Sequence, residues 1–171
     1  GVVANRLSVT WLTDQDIMLR SALFGESPQA LFYLGDKAFT EGDYASAAEA
    51  YAQALARADG PSAVAYYHLA LAEIELTRLD DAVEHLRRAL ELEPDHRLAG
   101  LLLGELLMRQ GQFDESLRVM ESQAARHPDN PVPHMVMGTI YADFLHKPDR
   151  ARRCFEEALK RDAKHAHTGM I

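Results

Sequence analysis

The feature that most restricts this chain is its match to itself at a spacing of about 34 residues. Leu34-Gly35, Leu69-Ala70, Leu103-Gly104 and Met137-Gly138 follow one another at that interval, the first step being one position longer than the other two. Twelve to thirteen residues later comes a small side chain: Ala47, Ala82, Ser116 and Ala151. Four residues beyond lie Tyr51, Leu86, Met120 and Phe155, and three further on Ala54, Ala89, Gln123 and Ala158. A fixed period of this length means similar small units, none able to bury its apolar face alone, stacked on one another.

Composition makes the units helical. Alanine and leucine are abundant while Val, Ile and Thr are sparse, a mix that favours helix over sheet. Gly42-Asp43, Gly60-Pro61, Pro94, Gly111, Pro128, Pro131, Pro133 and Pro148 separate apolar-periodic segments of about a dozen residues, as turns between short helices do. The expected fold is all-α, with each unit a pair of antiparallel helices, A and B. A small residue beside a large one in helix A lets helix B approach closely. Gly42 and Gly111 supply a left-handed backbone to end helix A, and proline stops helix B.

Three units depart from the pattern. The second has Thr77-Arg78 where glycine is expected, so its turn needs another cap. The third has Gln123 where helix B carries a small residue, which predicts either looser packing or a side chain turned toward solvent. The fourth has one extra residue before Ala151 and Ala163 in place of a closing proline, so its last helix can run on.

Residues 28–165 resemble the tetratricopeptide repeat family, in units 28–62, 63–96, 97–130 and 131–165. The resemblance implies a right-handed α-solenoid that binds proteins without catalysis, as a scaffold or adaptor. A homo-oligomerisation or spacer module of a larger protein is the competing expectation. Family members of this style assist secretion, envelope assembly and cytochrome maturation, and the Ala/Arg-rich composition suits a bacterium. Residues 1–27 fit the repeat poorly and read as an extended arm with a helix from about Thr13 to Gly25, while 166–171 form a tail. The arm is expected to cap the first unit or to mask apolar surface.

In the family, helix A lines a concave groove. Carried onto this chain, the groove positions are Phe32, Tyr33, Asp36 and Phe39; Tyr67, His68, Leu71 and Ile74; Leu98, Leu101, Leu102, Glu105 and Met108; and Met135, Val136, Thr139 and Asp143. The set is apolar for a surface facing water, which predicts an amphipathic helix or extended apolar segment as ligand. The lysine/asparagine clamp of the family's chaperone-tail receptors is missing: Phe32, Asp36, Tyr67, Leu98 and Leu102 stand at its positions.

Charge is uneven along the chain. The formal net charge is −8, which argues against a general nucleic-acid binder. Residues 1–145 carry 22 acids against 11 bases, whereas residues 146–171 carry 4 acids against 7 bases. The late bases, Lys147, Arg150, Arg152, Arg153, Lys160, Arg161 and Lys164, form a basic patch, read either as a solvated helix face or as a docking surface for an acidic partner or a second copy. The last helix also brings Phe155, Ala158 and Leu159 to a face that repeat arrays normally cover.

No phosphate-binding glycine loop, metalloprotease helix or nucleophile elbow is present, and no cofactor or metal is expected from the dispersed histidines. Cys154, the single cysteine, is expected to pack as a structural thiol. No apolar run reaches the length of a membrane span. The thiol does not fix a compartment: a cytoplasmic location is the default expectation, and a periplasmic one holds if a leader was removed.

Overall fold

The computed structural model describes residues 27–168, with side chains placed through Asp162. The expected arm and helix over residues 1–26 and the extreme C-terminus lie outside that range. Among the described residues eight α-helices occur in pairs: α1 (Pro28–Glu41) with α2 (Tyr44–Arg57), α3 (Ala63–Glu75) with α4 (Leu79–Leu92), α5 (Arg97–Arg109) with α6 (Phe113–Arg126), and α7 (Val132–Thr139) with α8 (Pro148–Thr168). Each helix packs on its hairpin partner, and each second helix packs on the first helix of the next pair. All elements among the described residues are helical.

Local chemistry starts the helices. Ser27 Oγ accepts from the Ala30 amide, Asp43 Oδ1 from Ser46, and Ser62 Oγ from Ala65, satisfying amide groups that have no partner inside their helices. The hydrogen bonds from Ser46 hold the Asp43 carboxyl below its ordinary pKa. In α5 an imidazole does the same job: His96 Nδ1 accepts from Ala99 at 3.2 Å.

Three hairpins turn in the same way. Gly42 donates to Phe39 O and Asp43 to Ala38 O; Thr77 to Ile74 O and Arg78 to Glu73 O; Gly111 to Met108 O and Gln112 to Leu107 O. This paired closure requires one left-handed residue. Gly42 (φ 82°) and Gly111 (φ 76°) take that backbone freely, but Thr77 is forced into it at φ 60°. The second hairpin therefore needs no new cap. It uses the same turn and carries the strain of a β-branched residue there. Thr77 is exposed and its hydroxyl donates only to the neighbouring Leu76 O, so Thr77→Gly is expected to raise stability by about 1 kcal/mol. Thermal unfolding checks this as a gain of about 2–4 °C in Tm.

The extra residue of the fourth unit appears as a π-helical turn. α7 continues directly into Ile140–Phe144, where Leu145 donates to Ile140 O and Lys147 to Tyr141 O. A π turn absorbs one added residue without shifting the next helix out of register. Ala151 therefore reaches its core position at 4% exposure, beside Ala47, Ala82 and Ser116 at 0% in the other units. As the missing proline suggested, α8 runs on to Thr168.

Packing follows the small-against-large rule. The Tyr51 ring covers Gly35, the Phe155 ring covers Gly138, and Met120 covers Gly104. Ser116 also donates to Gly104 O at 2.6 Å. The third unit corrects the expectation for Gln123. This side chain is 2% exposed, neither loose nor turned to solvent. It lies where a Cβ on Gly100 would stand. The other units carry Leu31, Tyr66 and His134 opposite Ala54, Ala89 and Ala158, so the third exchanges large and small between its helices.

A buried ion-pairing group sits in the second unit. Glu73, 5% exposed, contacts His85 Nδ1 at 2.7 Å, and Tyr66 stacks on the imidazole. The hydrogen bond to Glu73 raises the His85 pKa above its ordinary 6.5, with Asp81 and Glu84 adding to it against the effect of burial. A raised folded-state pKa stabilises the protein fully below about 6.5 and loses that contribution as pH climbs through the folded value. His134 runs the other way, because burial lowers its pKa. The His85 part is therefore read by difference. Denaturant midpoints from pH 5.5 to 8.5 are expected to show wild type losing its advantage over His85→Gln as pH rises. Parallel profiles would refute this.

Candidate functional site

The first helices α1, α3, α5 and α7 form one side of the stack. Between α1 and α3 the surface is aromatic: Phe32 lies 5.3 Å from Tyr51 and 5.0 Å from His68, ring centre to ring centre. The row continues from His68 to Tyr67 at 5.7 Å and from Tyr67 to His96 at 4.9 Å. Phe32 also walls an apolar hollow of about 280 Å³ with Leu55, Ala58 and Ala65.

Asp36 is fixed inside this surface. Its Oδ1 accepts from the Tyr51 hydroxyl at 2.7 Å and lies 3.2 Å from His68 Nδ1, joining α1, α2 and α3. Burial first, and then Asp36, push the Tyr51 hydroxyl pKa well above its usual value. Burial alone raises that of Tyr67. Both phenols stay protonated at neutral pH.

The remaining groove positions sort by depth. Val136, 7% exposed, belongs to the core with Leu117, Met120, Met137 and Ile140, and so lies behind the surface. Phe39, Tyr67, Ile74 and Leu102 are half-buried against core clusters, as are Leu101 and Met108. His68, Leu71 and Thr139 are half-buried, while Glu105 and Asp143 are exposed. Large apolar side chains reach solvent at Tyr33 (42%), Leu98 (53%) and Met135 (51%), and also at Val64 (44%). Val64 is absent from the groove positions expected from sequence, although it stands one repeat period before Leu98, so the repeat register could have found it.

Much of the late basic patch is engaged within the chain. Arg152 pairs with Asp149, Arg150 lies over the Tyr141 ring, and Lys160 and Arg161 hold Glu157. Those two cations lower the Glu157 carboxyl to about 2. Arg161 also donates to Pro128 O, tying α8 to the loop between α6 and α7. Lys147 and Arg153 are exposed, and the Lys164 side chain is outside the described residues. Cys154 packs against the core of the third and fourth units, where burial raises its thiol pKa. A thiol held in this way is a poor nucleophile.

No described helix is long and apolar enough to cross a membrane. The arrangement offers a broad surface, apolar and aromatic at its centre, with carboxylates on the same helices.

Comparison with known proteins agrees with the architecture. A crystal structure of MamA superposes with a TM-score of 0.82 over 90% of this chain and 88% of that one, at 22% identity. YrrB, described as a TPR protein with an unusual peptide-binding site, gives 0.76 over 92% of this chain and 81% of its own, at 21% identity. Sperm-associated antigen 1 of Rattus norvegicus is 33% identical over 106 residues, covering 62% of this chain and 12% of the relative. A TPR repeat-containing protein of Methanocaldococcus jannaschii is 33% identical over 85 residues, covering 50% of this chain and 25% of its own length. The chain thus spans between an eighth and a quarter of these curated relatives. Two tetratricopeptide repeat profiles match residues 16–64 and 73–140, more than half of the chain between them. The first match begins ahead of α1, inside the segment whose sequence fits the repeat poorly. With four hairpins of repeated register stacked as a right-handed superhelix, the chain belongs to the tetratricopeptide repeat family.

Proposed function

We propose that this chain is a non-catalytic adaptor whose first helices hold a segment of a partner protein. The observation that carries the reading is the row formed by Tyr33, Val64, Leu98 and Met135. Each first helix presents one large apolar side chain that is 42–53% exposed. Single exposed apolar residues are ordinary, but one on the first helix of every unit recurs along the stack, as on surfaces that partners cover. The peptide-binding site ascribed to YrrB is consistent with a role of this kind for the shared fold. Leu98→Asp and Met135→Asp test it, because both side chains project from the stack and their loss leaves the core intact. Partner capture by the chain should fall in both variants at unchanged Tm. Capture that survives both would end the groove reading. Tyr67 and Leu102 are poorer probes, since their truncation also disturbs the core.

One observation favours a homo-oligomerisation or spacer role as the second reading. Tyr51, Leu86 and Met120 are 0–1% exposed, whereas their counterpart Phe155 is 38% exposed and Leu159 is 68% exposed. This open face of α8 would suit another helix. Light scattering of wild type and Leu159→Lys decides it: a larger species that Leu159→Lys abolishes supports self-association, and a monomer at all concentrations removes it.

A further inference from the structure

Each first helix that carries an exposed apolar side chain also carries a carboxylate on the same face. Asp36 follows Tyr33 by three residues, Glu75 follows Val64 by eleven, and Glu105 follows Leu98 by seven. Offsets of three, seven and eleven bring side chains back to one side of a helix. In the fourth unit the spacing from Met135 on α7 to Asp143 is eight, and Asp143 lies within the wider π turn Ile140–Phe144 that continues α7. The same strip therefore has an apolar line and an acidic line, running across all four units.

Several acids of the second helices are ion-paired within the chain, although Glu121 and Glu156 there are exposed without an ion pair among the described residues. There Glu84 and Glu91 pair with Arg88, Glu115 with Arg87, and Glu157 with Lys160 and Arg161. Glu75 and Glu105 are exposed, and neither is ion-paired among the described residues; Asp143 is likewise exposed and unpaired. Asp36 keeps 45% of its side chain open despite its bonds to Tyr51 and His68. Two cations share the strip: Lys37, and Arg109 one turn after Glu105. Four carboxylates against two cations leave an acidic field beside exposed apolar groups.

Resting on the adaptor reading, we infer that the partner segment is a cationic amphipathic helix, with apolar residues on one face and Lys or Arg flanking them. Such a helix lays its apolar face on Tyr33, Val64, Leu98 and Met135 and its cations against Asp36, Glu75, Glu105 and Asp143. An acidic segment meets like charge along the whole strip, which costs affinity and selects against it.

The test uses two 18-residue peptides with leucine at helical spacing and either lysine or glutamate elsewhere, titrated into the whole chain by fluorescence anisotropy. The lysine peptide is expected to bind at least tenfold more tightly, and to weaken as salt rises from 50 to 500 mM. Because the chain is acidic overall, the decisive comparison is between two double variants of equal net charge. Glu75→Lys/Glu105→Lys changes the strip, and Glu121→Lys/Glu156→Lys changes exposed positions on α6 and α8. A tenfold or greater loss in the first alone supports the inference, with Tm recorded for both to confirm folding. Equal losses, equal binding of both peptides, or no binding of the lysine peptide overturn it. So does displacement of the peptide by a second copy of the chain. None of these results touches the adaptor reading, which stands or falls on Leu98→Asp and Met135→Asp with a captured partner.

Discussion

Gly35→Ala is expected to destabilise the protein by about 2 kcal/mol, lowering Tm by about 4–8 °C. A methyl group at this position would stand 2.6 Å from the Tyr51 ring. The ring has nowhere to go: Tyr51 is 1% exposed, and its hydroxyl is held by Asp36 at 2.7 Å. Alanine favours helix over glycine by about 1 kcal/mol, which offsets part of the overpacking without removing it. The same change elsewhere should cost less. At Gly138 the contact is again 2.6 Å from a ring, but Phe155 is 38% exposed and can swing outward. At Gly104 the obstacle is the end of the flexible Met120 side chain, so Gly104→Ala should fall within about 1 kcal/mol of wild type. Thermal melts of the three variants should rank Gly35→Ala lowest, then Gly138→Ala, then Gly104→Ala. A reversed order would mean that the rings yield more readily than their burial implies.

The exchanged pair in the third unit should give the strongest coupling in the molecule. Gln123→Ala alone removes a buried side chain and leaves a void beside Gly100, a loss of about 2 kcal/mol. Gly100→Leu alone drives a branched side chain into the Gln123 amide, costing about 3 kcal/mol. Together they recreate the pairing of Leu31 with Ala54 in the first unit. They also delete Gln123 Oε1, a buried oxygen without a hydrogen-bond partner among the described residues. The double variant is therefore expected at or above wild-type stability, with a coupling of at least about 2 kcal/mol. Denaturant unfolding of the four proteins measures it. Additive losses would show that the two positions do not share one space.

Gln123 also shows where reading the chain alone reaches its limit. Register identified it as the residue that broke the small-residue rule. The compensating glycine lies in the preceding helix, and only helix–helix contact reveals that the two belong together. Thr77 is similar. Its departure from glycine was visible, but the retention of the same turn depends on whether Ile74 O and Glu73 O remain in reach. The insertion in the fourth unit was visible as one residue too many, and a π turn is one of several ways a backbone could have absorbed it.

Groove positions divide for a related reason. The groove positions implied by the family resemblance include Phe32, Asp36, Leu98 and Met135, and all four reach the surface at least partly. The same resemblance also implied Val136, which is core, and omitted Val64, which is exposed. The helical period tells which face of one helix a side chain occupies. Its exposure depends on how closely the neighbouring helix approaches, and that is set by side chains from another unit.

Repeat spacing was enough to establish four helical hairpins, their order and their small-against-large packing, because these depend on contacts within a unit or with its immediate neighbour. Contacts between elements distant in sequence decided which apolar residues stay open and which carboxylates stay unpaired. They also set how Asp36, Tyr51 and His68 join three helices. Burial and ion pairing are properties of surfaces brought together, and a linear pattern names those surfaces without fixing the distance between them.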